Sequence, residues 1–407
     1  MKIRKTPRLF IMMYAQYFVQ GAWNMTMGLV LSTFGMSSII GTAYGALGLA
    51  TILSPLIIGM IADRFFCSQK VMGTLHLINA GVLLLIPQYI ISNNNVMFLA
   101  MLFIVGLLFY PTSALANSIS FRHASGVKTF PIIRVFGTLG FMSIGFILGQ
   151  YGFSGSIMTW YIASFSGVCL GVYCFTLPDT PPKAKGENFE ARDLFCLDAL
   201  ALFKDKSFSV FMLSTFFLMI PKTAYSAYIP VFLKSLGFDN AATMLQIGTV
   251  FEIIFMFVLS FFLMKFGFKK VILLGAFCWI IRCFLLSHAA IDNHVVYILI
   301  ALMLQSFCWD FFFTAGDIYV DSKASEKIKA QAQSLRFIVS NGIGLMFAST
   351  VCGKIFNSTV NLKDPLALLQ WQDFWIYPMV IAAIVSLSFF IFFKDEKKKN
   401  ITSSQGR

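Results

Sequence analysis

Charge is what this sequence has least of. Only 12% of its 407 residues are Asp, Glu, Lys or Arg, against 58% hydrophobic; soluble domains run near ~25% and ~45–50%. With a mean hydropathy of +0.78, a chain of this length has no interior large enough to hide its apolar side chains from water. That excludes a soluble globular protein, and also a disordered, collagenous or disulfide-rich secreted one. Histidine is scarce: there are four, without the spacing of a metal site. The eight cysteines show no paired pattern. Six of them, Cys169, Cys174, Cys278, Cys283, Cys308 and Cys352, fall within apolar runs, as packing residues do. There is no G-x-x-x-x-G-K-S/T loop to cradle ATP, and no Ser/His/Asp or Cys/His arrangement that would make an enzyme. Neither a metal nor a cofactor is expected.

What the chain has instead is long apolar runs and 46 Phe, which suit a lipid-facing exterior. A spanning helix needs ~20 mostly apolar residues. Twelve runs qualify: 9–32, 37–62, 71–93, 96–118, 131–150, 156–177, 208–233, 244–264, 271–290, 295–319, 330–353 and 374–393. All exceed barrel-strand length and lack strand alternation, and in lipid the backbone must satisfy itself, so the expectation is an all-α membrane protein. The first run follows Lys2, Arg4, Lys5 and Arg8. It is too long for a signal-peptide core and has no small-residue cleavage site, so it is read as retained. With the N-terminus inside, 24 Lys/Arg lie in inner loops and tails, and only Lys234, Lys354 and Lys363 lie outside. An odd number of spans would destroy that bias. It also accounts for the net charge of +13, because the basic side faces anionic lipid. A nucleic-acid surface is the rival explanation of a basic protein. It fails because these charges are strung through short loops without an interleaved aromatic patch.

The longest polar stretch, 178–207, carries Pro178, Pro181 and Pro182 with mixed charges and reads as a cytoplasmic linker. It divides the chain into bundles of six spans, 1–177 and 208–393, with a cytoplasmic tail at 394–407. Basic turns follow the second span of each half, at Gly59–Lys70 and Lys265–Lys270, about 200 residues apart. Two six-helix pseudo-repeats are how one large class of secondary transporters is built. Gly41/Gly45 and Gly145/Gly149 make small-xxx-small pairs, which are either faces where backbones approach closely or ordinary transmembrane glycines.

A charge in mid-bilayer costs at least ~2.5–3.5 kcal/mol, so it faces a partner or a cavity. In span 5, Arg134, Thr138 and Phe141 fall at i, i+4 and i+7: a cation, a hydroxyl and a ring on one face. That stripe can hold a polar, ring-bearing solute, or Arg134 can snorkel to the near surface. Glu252 stands alone among apolar neighbours in span 8 and suits a proton carrier, with a structural partner for Lys222 or Arg282 as the alternative. Span 10 brings Trp309 and Asp310, then Asp317 nearer the boundary. Arg282 in span 9 is a natural ion-pair partner for Asp310 or Glu252. Span 1 has Gln16, Gln20 and Asn24 at i, i+4 and i+8, with Trp23 beside them, facing a central cavity or gluing helices together. Span 7 carries Pro221, Lys222, Thr223, Ser226 and Pro230. Its prolines suggest a bending, gating helix, and Lys222 is either a third buried charge or a residue reaching the outer interface. Tyr110-Pro111-Thr112 reads as another break.

Tyr110-Pro111-Thr112…Asn117-Ser118-Ile119, Arg134…Gly137-Thr138…Gly140-Phe141 and Leu177-Pro178-Asp179-Thr180-Pro181-Pro182 resemble the nucleoside:proton symporter family of the major facilitator superfamily. So do Leu197-Asp198-Ala199, Glu252, Arg282, Asp310-Phe311 and Ala332-Gln333, in order over nearly the whole chain. The resemblance implies the major facilitator fold with twelve transmembrane helices, and proton-coupled nucleoside import at a central site between the halves. Positions matching the family's substrate contacts are Arg134, Thr138, Phe141, Glu252 and Asp310, with Trp309 in place of another aromatic. Thr223, Ser226 and Thr249 stand where better-defined members carry amides, and Gln305 stands where they carry Tyr, so the groups that would read base and ribose have changed.

The resulting expectation is a monomeric symporter of the cell inner membrane with both termini cytoplasmic, importing a nucleoside-like solute with protons by alternating access. Aromatic rings at Phe141, Trp309 and Trp23 stack the base. Thr138, Gln20, Asn24, Thr223 and Ser226 bind polar edges, and Glu252 or Asp310 takes the proton. Another small polar solute, such as a sugar, is the alternative cargo. A drug exporter is disfavoured because span 1 has no acid and span 5 no Gly-Pro-rich motif. A receptor or enzyme would need a soluble domain or catalytic cluster that the short loops leave no room for.

Overall fold

The computed structural model describes residues 6–54, 66–124, 129–181, 196–292, 294–325 and 328–395. Most of the tail at 394–407, residues 182–195 of the linker, the end of the second expected span and the basic turn at 59–64 lie outside them. Every regular element among the described residues is helical: α1 Thr6–Asn24, α2 Met27–Thr33, α3 Ile40–Ser54, α4 Ser68–Ile91, α5 Asn95–His123, α6 Thr129–Gln150 and α7 Met158–Cys174. There follow α8 Lys206–Ser235, α9 Ala241–Asp292, α10 Val295–Met303, α11 Gln305–Trp309, α12 Ala315–Lys323, α13 Lys329–Phe337, α14 Leu345–Thr359 and α15 Ala367–Phe392. Among the described residues, nine helices are long and apolar enough to cross a membrane; α7 is a shorter apolar helix.

Where breaks were expected at prolines, helix continues; where a turn was expected at 265–270, two helices meet at a kink within α9, with Gly267 non-helical (φ 78°, ψ 172°). That left-handed backbone is open to glycine and strained for other side chains, and Asp395 accepts from the Lys269 N–H just beyond it at 3.3 Å. α5 passes through Pro111 without interruption, the Thr112 hydroxyl donating to Phe109 O at 2.6 Å. α8 likewise runs unbroken through Pro221 and Pro230.

The chain forms two compact units. The first takes Met1–Phe189 and Ser226–Gln246; the second takes Glu190–Tyr225 and Ile247–Arg407. Glycine sets the packing of the first. A Cβ on Gly140 of α6 would be driven into the carbonyl oxygen of Tyr14 on α1, and one on Gly137 would come within 2.8 Å of the Tyr17 ring. Gly145 and Gly149 meet Gln246 and Thr243 as closely, and Gly28 meets the Ala227 carbonyl. The spacing of Gly145 and Gly149 points to close backbone approach; Gly149 meets the Thr243 backbone nitrogen, while Gly145 meets the Gln246 side chain. The aromatic centre of this unit is Trp23, Phe98, Phe109 and Trp160, with Trp23 and Trp160 6.1 Å apart. The second unit is centred on Phe356, Trp371, Phe374 and Trp375.

Two widened turns interrupt the second unit's helices. Asp310–Thr314 and Ile338–Gly344 are π-helical. Such i→i+5 turns are rare and cluster at functional positions. The Phe313 carbonyl, inside the first, accepts from Arg336 Nη2 at 3.0 Å.

At the start of α8, Asp205 accepts from the Phe208 N–H at 3.0 Å and pairs with Lys323 Nζ at 2.6 Å. Burial raises its carboxyl pKa, but the Lys323 ammonium and the Phe208 and Ser207 N–H groups outweigh that and leave it below the ordinary aspartate value. A depressed native pKa gives stability that is full above the unfolded value and is lost as pH falls through the native one. Asp205→Ala is therefore expected to lower stability by about 1 kcal/mol near neutral pH. The difference from the unmutated protein should vanish in acid, as read by melting in detergent across pH.

Candidate functional site

In the first unit, α6 turns Gly137 and Gly140 towards α1, which leaves the Arg134–Thr138–Phe141 stripe on a different part of its surface. Arg134 is exposed, Thr138 and Phe141 are half-buried, and Arg134 makes no ion pair with a described residue. A Cβ on Gly21 would lie 3.1 Å from the Phe141 ring, so that ring rests against α1. The polar stripe of span 1 divides. Gln20 and Asn24 are half-buried. Gln16 is fully buried, its amide donating to the hydroxyls of Thr112 (2.8 Å) and Ser113 (3.2 Å) while its oxygen meets His76 Nε2 at 2.7 Å. With the amide nitrogen turned to Thr112, the oxygen is left to accept, so Nε2 carries the His76 proton. Gln16 is thus internal glue. The Gln16–His76 contact was missed because the histidines were judged only for metal spacing; a lone histidine in an apolar span was the available signal. Trp23 corrects the expectation that it stacks a base. It is 1% exposed, wedged against Phe109 and Trp160.

In the second unit, α9 shows its lipid-type face plainly. Val250, Ile254, Phe257, Phe261 and Met264 are all exposed, at helical spacing. Glu252 is half-buried and lies off that face. It shares its side of the helix with Gly248 and Phe255. A Cβ on Gly248 would lie 2.8 Å from Gln305 Cβ, and the Phe255 ring is 4.4 Å from that of Phe307. The carboxylate therefore rides the face that packs on α11. Asp310 is 2% exposed at the head of the first π-helical turn, accepting from the Thr314 hydroxyl at 3.3 Å. Trp309, just before it, is half-buried.

Arg282 has a different partner from the carboxylate expected. It is fully buried, its Nη1 donates to Gln305 Oε1 at 2.6 Å, and its guanidinium lies 3.3 Å from the centroid of the Tyr225 ring. The planar cation is carried by an amide and an aromatic face. Asp317, expected near a boundary, pairs with Arg336 at 2.8 Å. Thr223 is buried, and its hydroxyl finds no acceptor among the described residues; Ser226 is exposed. No cluster of metal-ligating side chains occurs among the described residues.

The chain carries a cation, a hydroxyl and a ring at Arg134, Thr138 and Phe141 in one unit, and two acids, an indole and an amide at Glu252, Asp310, Trp309 and Gln305 in the other, on helices otherwise apolar. The family model described as Nucleoside H+ symporter matches residues 1–398. The chain belongs to the nucleoside H+ symporter family. Membership makes it a membrane transporter rather than an enzyme. Among curated relatives, YegT of Escherichia coli (strain K12), provisionally named a nucleoside transporter, is 34% identical over 97% of this chain and 95% of its own length. The nucleoside permease NupG of the same strain is 28% identical over 98% of each chain. A crystal structure of the nucleoside transporter NupG superposes with a TM-score of 0.84 at 25% identity, covering 96% of this chain and 99% of that one. This symporter family member therefore has the all-helical major facilitator fold, and its passage through the membrane is multi-pass.

Proposed function

We propose that this protein imports nucleosides with protons across a bacterial inner membrane. The observation that carries the reading is the family match from residue 1 to residue 398, and Glu252, turned off the lipid-type face of α9, supports it. Arg134, Thr138, Phe141, Gln20, Asn24, Thr223, Ser226 and Trp309 contact the solute. Glu252 and Asp310 take up the coupling proton, and Arg282, through Gln305, is a positioning residue for the α11 turn. Protonation with solute bound removes a net charge and lets the transporter alternate between its two faces; release of the proton inside frees the cargo.

Twelve spans follow if α1 and α2 form one, α9 forms two divided at Gly267, α10–α12 form one and α13–α14 form one. Both termini then lie in the cytoplasm, as the basic loops require. A fluorescent protein fused after Arg407 is expected to be bright, and alkaline phosphatase fused there to be inactive; the reverse pattern removes the twelve-span reading.

The deciding experiment is uptake into proteoliposomes of labelled uridine, adenosine and a disaccharide under imposed proton or sodium gradients. Nucleoside accumulation driven by an inward proton gradient is the expected result. Accumulation of the disaccharide alone would replace the cargo, and sodium dependence would replace the coupling ion.

A further inference from the structure

Lys222 is the one charged side chain of α8's apolar middle, and it has no place in the account above. It is 9% exposed. Its Nζ donates to Asn341 Oδ1 at 3.3 Å and lies 4.3 Å from the Trp309 ring centroid and 4.8 Å from that of Phe313. None of these partners is a carboxylate. Asp317, an acid of the same unit, is engaged by Arg336 at 2.8 Å. Asn341 is turned towards the lysine by its own amide, which donates to Ser340 Oγ at 3.0 Å. The ammonium is thus bracketed by the two π-helical turns, one supplying Asn341 and the other Phe313, with Trp309 at its edge. Trp309 and Asn341 are both half-buried.

We infer that Lys222 contacts the solute and selects nucleosides whose base turns an oxygen to Nζ, at the purine 2-position or the pyrimidine 4-position, over those that carry an amino group there. This rests on the nucleoside reading above. An ammonium has three donors and no acceptor. It gains from exchanging a neutral amide oxygen for a charged one, because charge-assisted hydrogen bonds are roughly twice as strong. An exocyclic amino group offers it only another donor, and the buried cation is then left short of a partner. Xanthosine and guanosine are a matched pair: they differ in a 2-oxo against a 2-amino group, and xanthosine is the more acidic. Uridine and cytidine make the same contrast at the 4-position.

The test is initial-rate uptake by full-length protein in proteoliposomes under a fixed inward proton gradient. The unmutated protein is expected to favour xanthosine over guanosine, and uridine over cytidine, by about 10-fold or more in kcat/KM. In Lys222→Met that ratio should fall by about 10-fold, whereas Lys222→Arg should keep most of it. A ratio near one in the unmutated protein overturns the inference without any variant, so poor folding of Lys222→Met does not protect it. Equal loss for both members of a pair in Lys222→Met overturns it as well, since a merely structural lysine would do that. Transport of nucleosides without oxo preference removes this inference alone; no nucleoside uptake at all removes the nucleoside reading and this with it.

Discussion

Glu252→Gln is expected to abolish accumulation driven by a pH gradient while leaving exchange of labelled for unlabelled nucleoside in place. The substitution keeps the size and hydrogen-bonding shape of the side chain but removes the proton it can carry. A transporter with a permanently neutral group at that position can still turn over between its two loaded states. It cannot return a proton-dependent free energy to the solute, so the accumulation ratio should fall to about one. The geometry makes the test clean. Glu252 lies away from Val250, Ile254 and Phe257, the lipid-type face of α9, on the side that carries Gly248 and Phe255. Gradient-driven uptake at the unmutated level in this variant would take the coupling role away from Glu252 and leave Asp310 as the remaining acid.

The second large effect is expected at a glycine. Gly140→Ala adds one methyl group to α6, directly into the carbonyl oxygen of Tyr14. A flexible side chain could swing aside; a helix backbone can yield only by moving α1 from α6. Overpacking usually costs ~1–3 kcal/mol, and a backbone obstacle belongs at or above the upper end. We expect most of the protein to be lost from the monodisperse peak in fluorescence-detected size exclusion. Gly81→Ala is the control, because nothing lies within 4 Å of the added Cβ, and its yield should match the unmutated protein. Equal yields from both variants would mean that the α1–α6 contact is looser than described.

What could be read from the sequence was whatever depends on neighbours along the chain. Helical type followed from run length and backbone self-satisfaction, and the orientation of Glu252 is implicit in the exposed apolar spacing 250, 254, 257, 261, 264 around it. Close approach at Gly145 and Gly149 was visible as a four-residue interval. What could not be read depends on neighbours distant in sequence. Whether Gln16 faces a cavity or glues helices together is not legible in its own helix, because nothing there reveals His76, sixty positions on. Arg282 looked destined for an acid because charge suggests charge, yet a buried guanidinium is served by a ring face and an amide just as physically, and Tyr225 and Gln305 supply them. Trp23 looked available for stacking; the aromatic cluster that buries it comes from α5 and α7. The basic turn read at 265–270 coincides with the kink at Gly267, where two helices meet. The π-helical turns leave no signature in composition at all.

The turn at Asp310–Thr314 ties two distant positions to a common fate. A turn one residue too wide cannot return all its carbonyls to the usual helical donors, and hydrocarbon offers no water to take them up. The Phe313 oxygen is answered by Arg336, whose other nitrogen reaches Asp317. Genetic drift that straightens the one segment strands a guanidinium, and drift that shortens the other side chain orphans a carbonyl, so second-site suppressors of a lesion at Arg336 should be sought in the five residues that begin with Asp310.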